Sequence, residues 1–69
     1  MNYNTTIKKI RYEQAESIID TRQPRGLFYT ILGGLYVGID NDSGQAWTET
    51  FPTLRKCKQW LSKPYIEIE

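Results

Sequence analysis

Two adjacent glycines, Gly33 and Gly34, sit between the runs Leu27-Phe28-Tyr29-Thr30-Ile31-Leu32 and Leu35-Tyr36-Val37-Gly38-Ile39-Asp40. Both runs are rich in β-branched and aromatic residues, which favour extended backbone. A type I′ turn requires positive φ at both central positions, and glycine meets that demand without steric cost. The spacing therefore predicts a two-residue hairpin. Such a hairpin sets Leu32 opposite Leu35, Thr30 opposite Val37 and Phe28 opposite Ile39, all on one face, which is expected to be the core. The other face receives Tyr29, Ile31, Tyr36, Gly38 and Asp40.

A second turn, Asn41-Asp42-Ser43-Gly44, leads into Ala46-Trp47-Thr48-Glu49-Thr50-Phe51 as a third strand. With a four-residue turn, Trp47 and Glu49 join the second face, and Trp47 lies opposite Gly38 as a ring over bare backbone. A bulge at Gly44 would slip the register by one residue and turn Trp47 into the core. Both registers stay open at this point.

On either side of the strands the pattern is helical. Ile7, Ile10, Ala15, Ile18 and Ile19 fall within half of a wheel that turns about 100° per residue, which predicts an amphipathic helix. Its central part is Tyr12 to Asp20, and Thr5 or Thr6 would cap a longer version. Thr21-Arg22-Gln23-Pro24-Arg25-Gly26 reads as a connection. After Pro52, Thr53 is the expected N-cap of a second helix, in which Leu54, Cys57, Trp60 and Leu61 form one apolar stripe that packs on the sheet. Pro64 ends that helix. Tyr65-Ile66-Glu67-Ile68-Glu69 alternates, as a short C-terminal edge strand or a tail. The expected fold class is α+β: helix, three-stranded antiparallel meander, helix.

At 69 residues the chain is one small domain over 1–69, with residues 1–6 expected to be flexible. A domain of this size buries only about 60% of its unfolded surface, leaving room for one thin core and none for an enclosed active-site cavity of usual size. This argues against an enzyme. No apolar run reaches the ~18 residues of a membrane span, and the polar start Met1-Asn2-Tyr3-Asn4-Thr5-Thr6 lacks the apolar stretch of a secretory signal. The expected location is the cytoplasm, away from membranes. A single cysteine fits a reducing compartment.

The formal net charge of +1 conceals a division. Residues 1–25 carry five basic and three acidic side chains, residues 26–54 carry three acidic and none basic, and residues 55–69 carry four basic and two acidic. An aromatic face with acids and no Lys or Arg is a candidate recognition surface, since Tyr and Trp supply contact area at low entropic cost. Tyr29, Tyr36 and Trp47 are its anchors, and Asp40, Asp42 and Glu49 its acids. The alternative is that the N-terminal segment or a homodimer partner covers this face.

Other chemistry finds little support. Asp40-Asn41-Asp42-Ser43-Gly44 begins like a calcium loop, but its glycine comes one residue early and Phe51 stands where the last ligand, a Glu, belongs. It reads as a turn. Cys57 lies on the apolar stripe and the chain has no histidine to serve as its base, so it reads as a small buried hydrophobe. Glu13, Glu16 and Asp20 form an ordinary polar helix face. No phosphate loop or zinc spacing occurs, and neither metal nor cofactor is expected.

The order helix, three antiparallel strands, helix is similar to that of double-stranded-RNA-binding domains. The stretch Gln45-Ala46-Trp47-Thr48-Glu49-Thr50-Phe51-Pro52-Thr53-Leu54 resembles the strand-to-helix passage of plant ethylene-response DNA-binding domains and of phage-type integrase arm-binding domains. Those DNA readers use Arg and Lys on the sheet, whereas residues 27–51 contain neither, and an acidic sheet repels phosphate. Arg55, Lys56 and Lys58 at the start of the second helix, with Arg22 and Arg25 beside Pro24, are the candidates for meeting a phosphate backbone.

The runs Arg25-Gly26-Leu27-Phe28-Tyr29, Leu35 to Asn41 and Ala46-Trp47-Thr48-Glu49 together resemble small proteins carried by phages and conjugative elements of Gram-positive bacteria. That resemblance implies an accessory gene product, of a kind that includes inhibitors of host nucleases and other defence enzymes. The leading expectation is a non-enzymatic module that binds another protein with a basic surface, in its sharpest form an inhibitor of the anti-CRISPR kind. The alternative is a nucleic-acid-binding accessory domain, for instance a recombinase or conjugation helper.

Overall fold

The glycine pair turns the chain as its sequence requires. In the computed structural model, which describes residues 6–62, Gly33 and Gly34 have φ of 59° and 82°. The elements in chain order are β1 (Ile7–Lys9), α1 (Tyr12–Thr21), β2 (Leu27–Leu32), β3 (Leu35–Asp40), β4 (Trp47–Phe51) and α2 (Leu54–Ser62). They form an α+β fold with one four-stranded mixed sheet in the order β1-β2-β3-β4. Strands β2, β3 and β4 are the antiparallel meander, and Leu32 faces Leu35, Thr30 faces Val37 and Phe28 faces Ile39.

Where the sequence admits a longer version of the first helix, the chain forms a strand. β1 pairs in parallel with β2, Ile7 beside Leu27 and Lys9 beside Tyr29, and the Ile10 amide donates to the Tyr29 carbonyl at 2.9 Å. The helix begins only at Tyr12. Thr6 lies before β1 and does not cap it, and Thr5 lies outside the described residues; the N-cap is Arg11, whose amide donates to Gln14 Oε1 at 3.0 Å. At its C-terminus Arg22 adopts the left-handed conformation, φ 63°, and its amide donates to the Ile18 carbonyl. The Thr53 cap forms as expected, its Oγ1 accepting from the Lys56 amide at 3.2 Å. Tyr65 to Glu69, read as a short edge strand or a tail, and most of the segment expected to be flexible lie outside the described residues.

The β3–β4 connection is longer than a four-residue turn. Trp47 faces Asp40 and Glu49 faces Gly38, so Trp47 keeps the face of Tyr29 but not the place opposite Gly38. Asn41 explains the difference. It is buried, its Nδ2 donates to the Pro24 carbonyl at 2.7 Å, and its Oδ1 accepts from the Ala46 amide at 3.1 Å. Its backbone exchanges two hydrogen bonds with Gly26. Pinned at both ends, the loop reaches as far as Ala46, which takes φ 50°.

Each face of the sheet carries one helix, where the sequence reading leaves the second face either open or covered by the N-terminal segment or a homodimer partner. On the first face α1 brings Ala15 and Ile18 onto Phe28 and Ile39, with Ile10 and Ala46 at the margin. On the second, Cys57 and Leu61 of α2 pack on Leu27, with Ile7, Tyr29, Tyr36, Phe51 and Trp60 around them. Gly38 admits α2 to this close approach: a Cβ there would lie 3.1 Å from Cys57 Sγ and 3.2 Å from the Trp60 ring. Among the described residues no helix is long and apolar enough to cross a membrane.

Candidate functional site

The second face is where the sequence places the aromatic anchors, and α2 divides them. Tyr29 and Tyr36 are half-buried beneath it, their ring centroids 6.5 Å apart, so most of their surface serves the core. The open aromatic platform expected from the sequence is therefore corrected to one ring. Trp47, at the start of β4 beyond the cover of α2, is 61% exposed. Beside it on this face stand Asp40, half-buried, and Glu49, exposed. Asp42 belongs to the adjoining loop, where its amide donates to Asp40 Oδ1 at 3.2 Å. Among the described residues strand β4 is a sheet edge, with a row of its backbone groups facing outward beside Trp47.

The five basic candidates do not come together. Arg25 Nη1 donates to the Asp42 carbonyl at 3.3 Å and Arg22 Nη1 to the Gly44 carbonyl at 3.5 Å, so both guanidiniums tie down the 41–46 loop. Arg55, Lys56 and Lys58 are exposed on α2, which starts at the other end of the sheet.

Burial pushes the Cys57 thiol above its ordinary pKa, which leaves it the protonated, unreactive form. The Tyr12 phenol is also raised, chiefly by its hydrogen bond to Glu16, whose negative charge adds to the effect. Among the described residues no three His, Cys, Asp or Glu side chains group as metal ligands.

A second open surface was missed by the sequence reading, which assigned Leu32 and Leu35 to the core. They are 47% and 43% exposed. The ten-residue α1 lies chiefly on β2 and leaves a groove between itself and the hairpin, lined by Tyr12, Glu16, Ile19, Leu32 and Val37 among others. The available signal was position: Leu32 and Leu35 flank the turn, at the tip of the sheet, where cover by a short helix runs out. Comparison with protein-family models, with curated proteins and with solved structures finds no match, so the geometry alone carries the functional reading.

Proposed function

We propose that this protein is a non-enzymatic module that binds another protein through the corner of the sheet formed by Trp47, Asp40 and Glu49. The observation that carries the reading is Trp47, exposed over most of its surface and flanked by two carboxylates at a sheet edge. An indole supplies much apolar area with few rotors to freeze, and such residues dominate the energetics of interfaces. The acids select a partner with a basic surface and raise the rate of encounter with it. Enzymes that act on nucleic acids carry such surfaces. An inhibitor of a host defence nuclease, of the anti-CRISPR kind and encoded on a phage or mobile element, is the sharpest form of the reading.

The test is capture by cross-linking from a Gram-positive host lysate, followed by affinity measurement on the captured protein. Trp47→Ala should weaken binding by about 2 kcal/mol, roughly thirtyfold in Kd. Glu49→Lys should slow association and reduce its salt dependence, while reversing Arg55 and Lys56 together should change little. Equal binding by wild type and the Trp47→Ala, Glu49→Lys double variant would overturn the assignment. The inhibitor form is tested separately, by whether expression restores phage plaques on a host carrying a nuclease-based defence.

The exposed cations of α2 keep a second reading in view, the nucleic-acid-binding accessory domain. In that reading Arg55, Lys56 and Lys58 contact phosphates, and their reversal abolishes retention on nucleic acid.

A further inference from the structure

A helix is about 10 Å across and strands in a sheet lie about 4.8 Å apart, so one helix covers about two strands. On the first face of this four-stranded sheet α1 sits over β2, and no second helix follows it among the described residues. The β3–β4 half of that face presents Leu35, Val37, Thr48 and Thr50. Between it and α1 runs a groove of about 940 Å³, with Ile19, Leu32 and Val37 supplying apolar surface.

The charge of this groove is one-sided. Glu13, Glu16 and Asp20 line it from α1, and the cation at its end, Arg22, is turned to the Gly44 carbonyl. The facing strands contribute no compensating charge, since residues 26–54 contain no Lys or Arg. We infer that this groove seats a basic amphipathic helix of another protein, laid alongside α1 as a second helix on the face. Its apolar stripe rests on Leu32, Leu35 and Val37, and its Lys or Arg side chains meet the carboxylates of Glu13, Glu16 and Asp20.

The chain itself offers no such occupant. Residues 63–69 carry two carboxylates against one lysine, and residues 1–5 carry no charged side chain. Two copies meeting through this face would set like-charged walls against each other. The groove is on the opposite side of the sheet from Trp47, so the inference stands independently of the function proposed above.

The test is a backbone-amide NMR titration of the full chain with a Leu/Lys amphipathic peptide of about 14 residues, some 21 Å of helix. Controls are a scrambled peptide of the same composition and its Leu/Glu counterpart. Shifts should centre on Ile19, Leu32, Leu35 and Val37. The Glu16→Lys, Asp20→Lys variant should bind at least about tenfold more weakly, and Trp47→Ala should bind as wild type does. Shifts centred on Trp47, equal binding of the scrambled peptide, or indifference to the double reversal would overturn the proposal. So would a groove occupied before peptide is added, either by a second copy, seen as concentration-dependent shifts, or by residues 1–5 or 63–69, seen as nuclear Overhauser contacts.

Discussion

At Gly38 the absence of a side chain decides how near a helix can come to the sheet. In Gly38→Ala the new Cβ would lie 3.1 Å from Cys57 Sγ and 3.2 Å from the Trp60 ring. Cys57 is buried with a single side-chain rotor and the Trp60 ring is rigid, so the variant should lose about 1–3 kcal/mol in urea denaturation. Adding Cys57→Ala should return part of that loss, because it removes the nearest clashing atom, and the shortfall from additivity measures the contact. Asn41→Ala should be at least as costly. It leaves the Pro24 carbonyl and the Ala46 amide, whose hydrogen bonds to Asn41 are partly buried, without those partners, at up to about 1–3 kcal/mol for each group. The raised thiol pKa of Cys57 means that the folded state holds that proton more tightly than the unfolded chain does. Its contribution is complete below the ordinary value and is lost as pH rises through the folded one; Tyr12 acts in the same direction at higher pH. Wild type should therefore lose more stability than Cys57→Ala between pH 7 and pH ~10, measured as the difference in urea midpoints. At this scale the sequence announces a close approach at Gly38 without saying what approaches. The sequence reading sets Trp47 there, but the 41–46 loop, held by the buried Asn41, carries Trp47 opposite Asp40, and it is the Trp60 ring of α2 that meets Gly38.

Among the elements, the two inner strands should be the most protected. Amides of β2 and β3 that pair within the meander should exchange with solvent roughly tenfold or more slowly than those of β1, which is three residues long and among the described residues has a neighbour on one side only. A deuterium-exchange time course resolved by residue checks this, and equal protection of β1 and β2 would contradict the topology. The meander is legible in the sequence because the Gly33-Gly34 turn and the strand runs specify register together. β1 is not legible because Ile7 within it and Ile10 just after it serve opposite faces. Ile7 packs toward Leu27 and Cys57, and Ile10 toward Ala15 and Phe28. Residues three apart on opposite faces of a strand fall on one side of a helical wheel, so the spacing imitates a helix. The second covered face left a clearer trace. Leu27-Phe28-Tyr29-Thr30-Ile31-Leu32 is nearly unbroken in apolar character, the pattern of a strand buried on both sides.

For the whole molecule, charge placement separates the functional readings. A titration with generic duplex DNA and RNA across a salt series should show weak retention at low salt or none, because the cations are split between a loop clamp and the outer surface of α2. Steep, salt-dependent binding lost on reversal of Arg55 and Lys56 would move the function to that helix. The acidic middle of the chain, residues 26–54, was legible as a whole-molecule property, but the second acidic surface was not, because Glu13, Glu16 and Asp20 belong to the net-basic segment 1–25 and reach the groove only through the crossover from β1 to β2. That crossover also bears on synthesis. Ile7 pairs with Leu27, twenty positions later, so at ribosomal speeds of about 5–20 residues per second β1 leaves the tunnel roughly one to four seconds before its partner. In that interval an unpaired strand is open to wrong pairings, and charged side chains are the common guard against them. Lys8 and Lys9, two of its three residues, keep the waiting segment in water until the hairpin arrives to receive it.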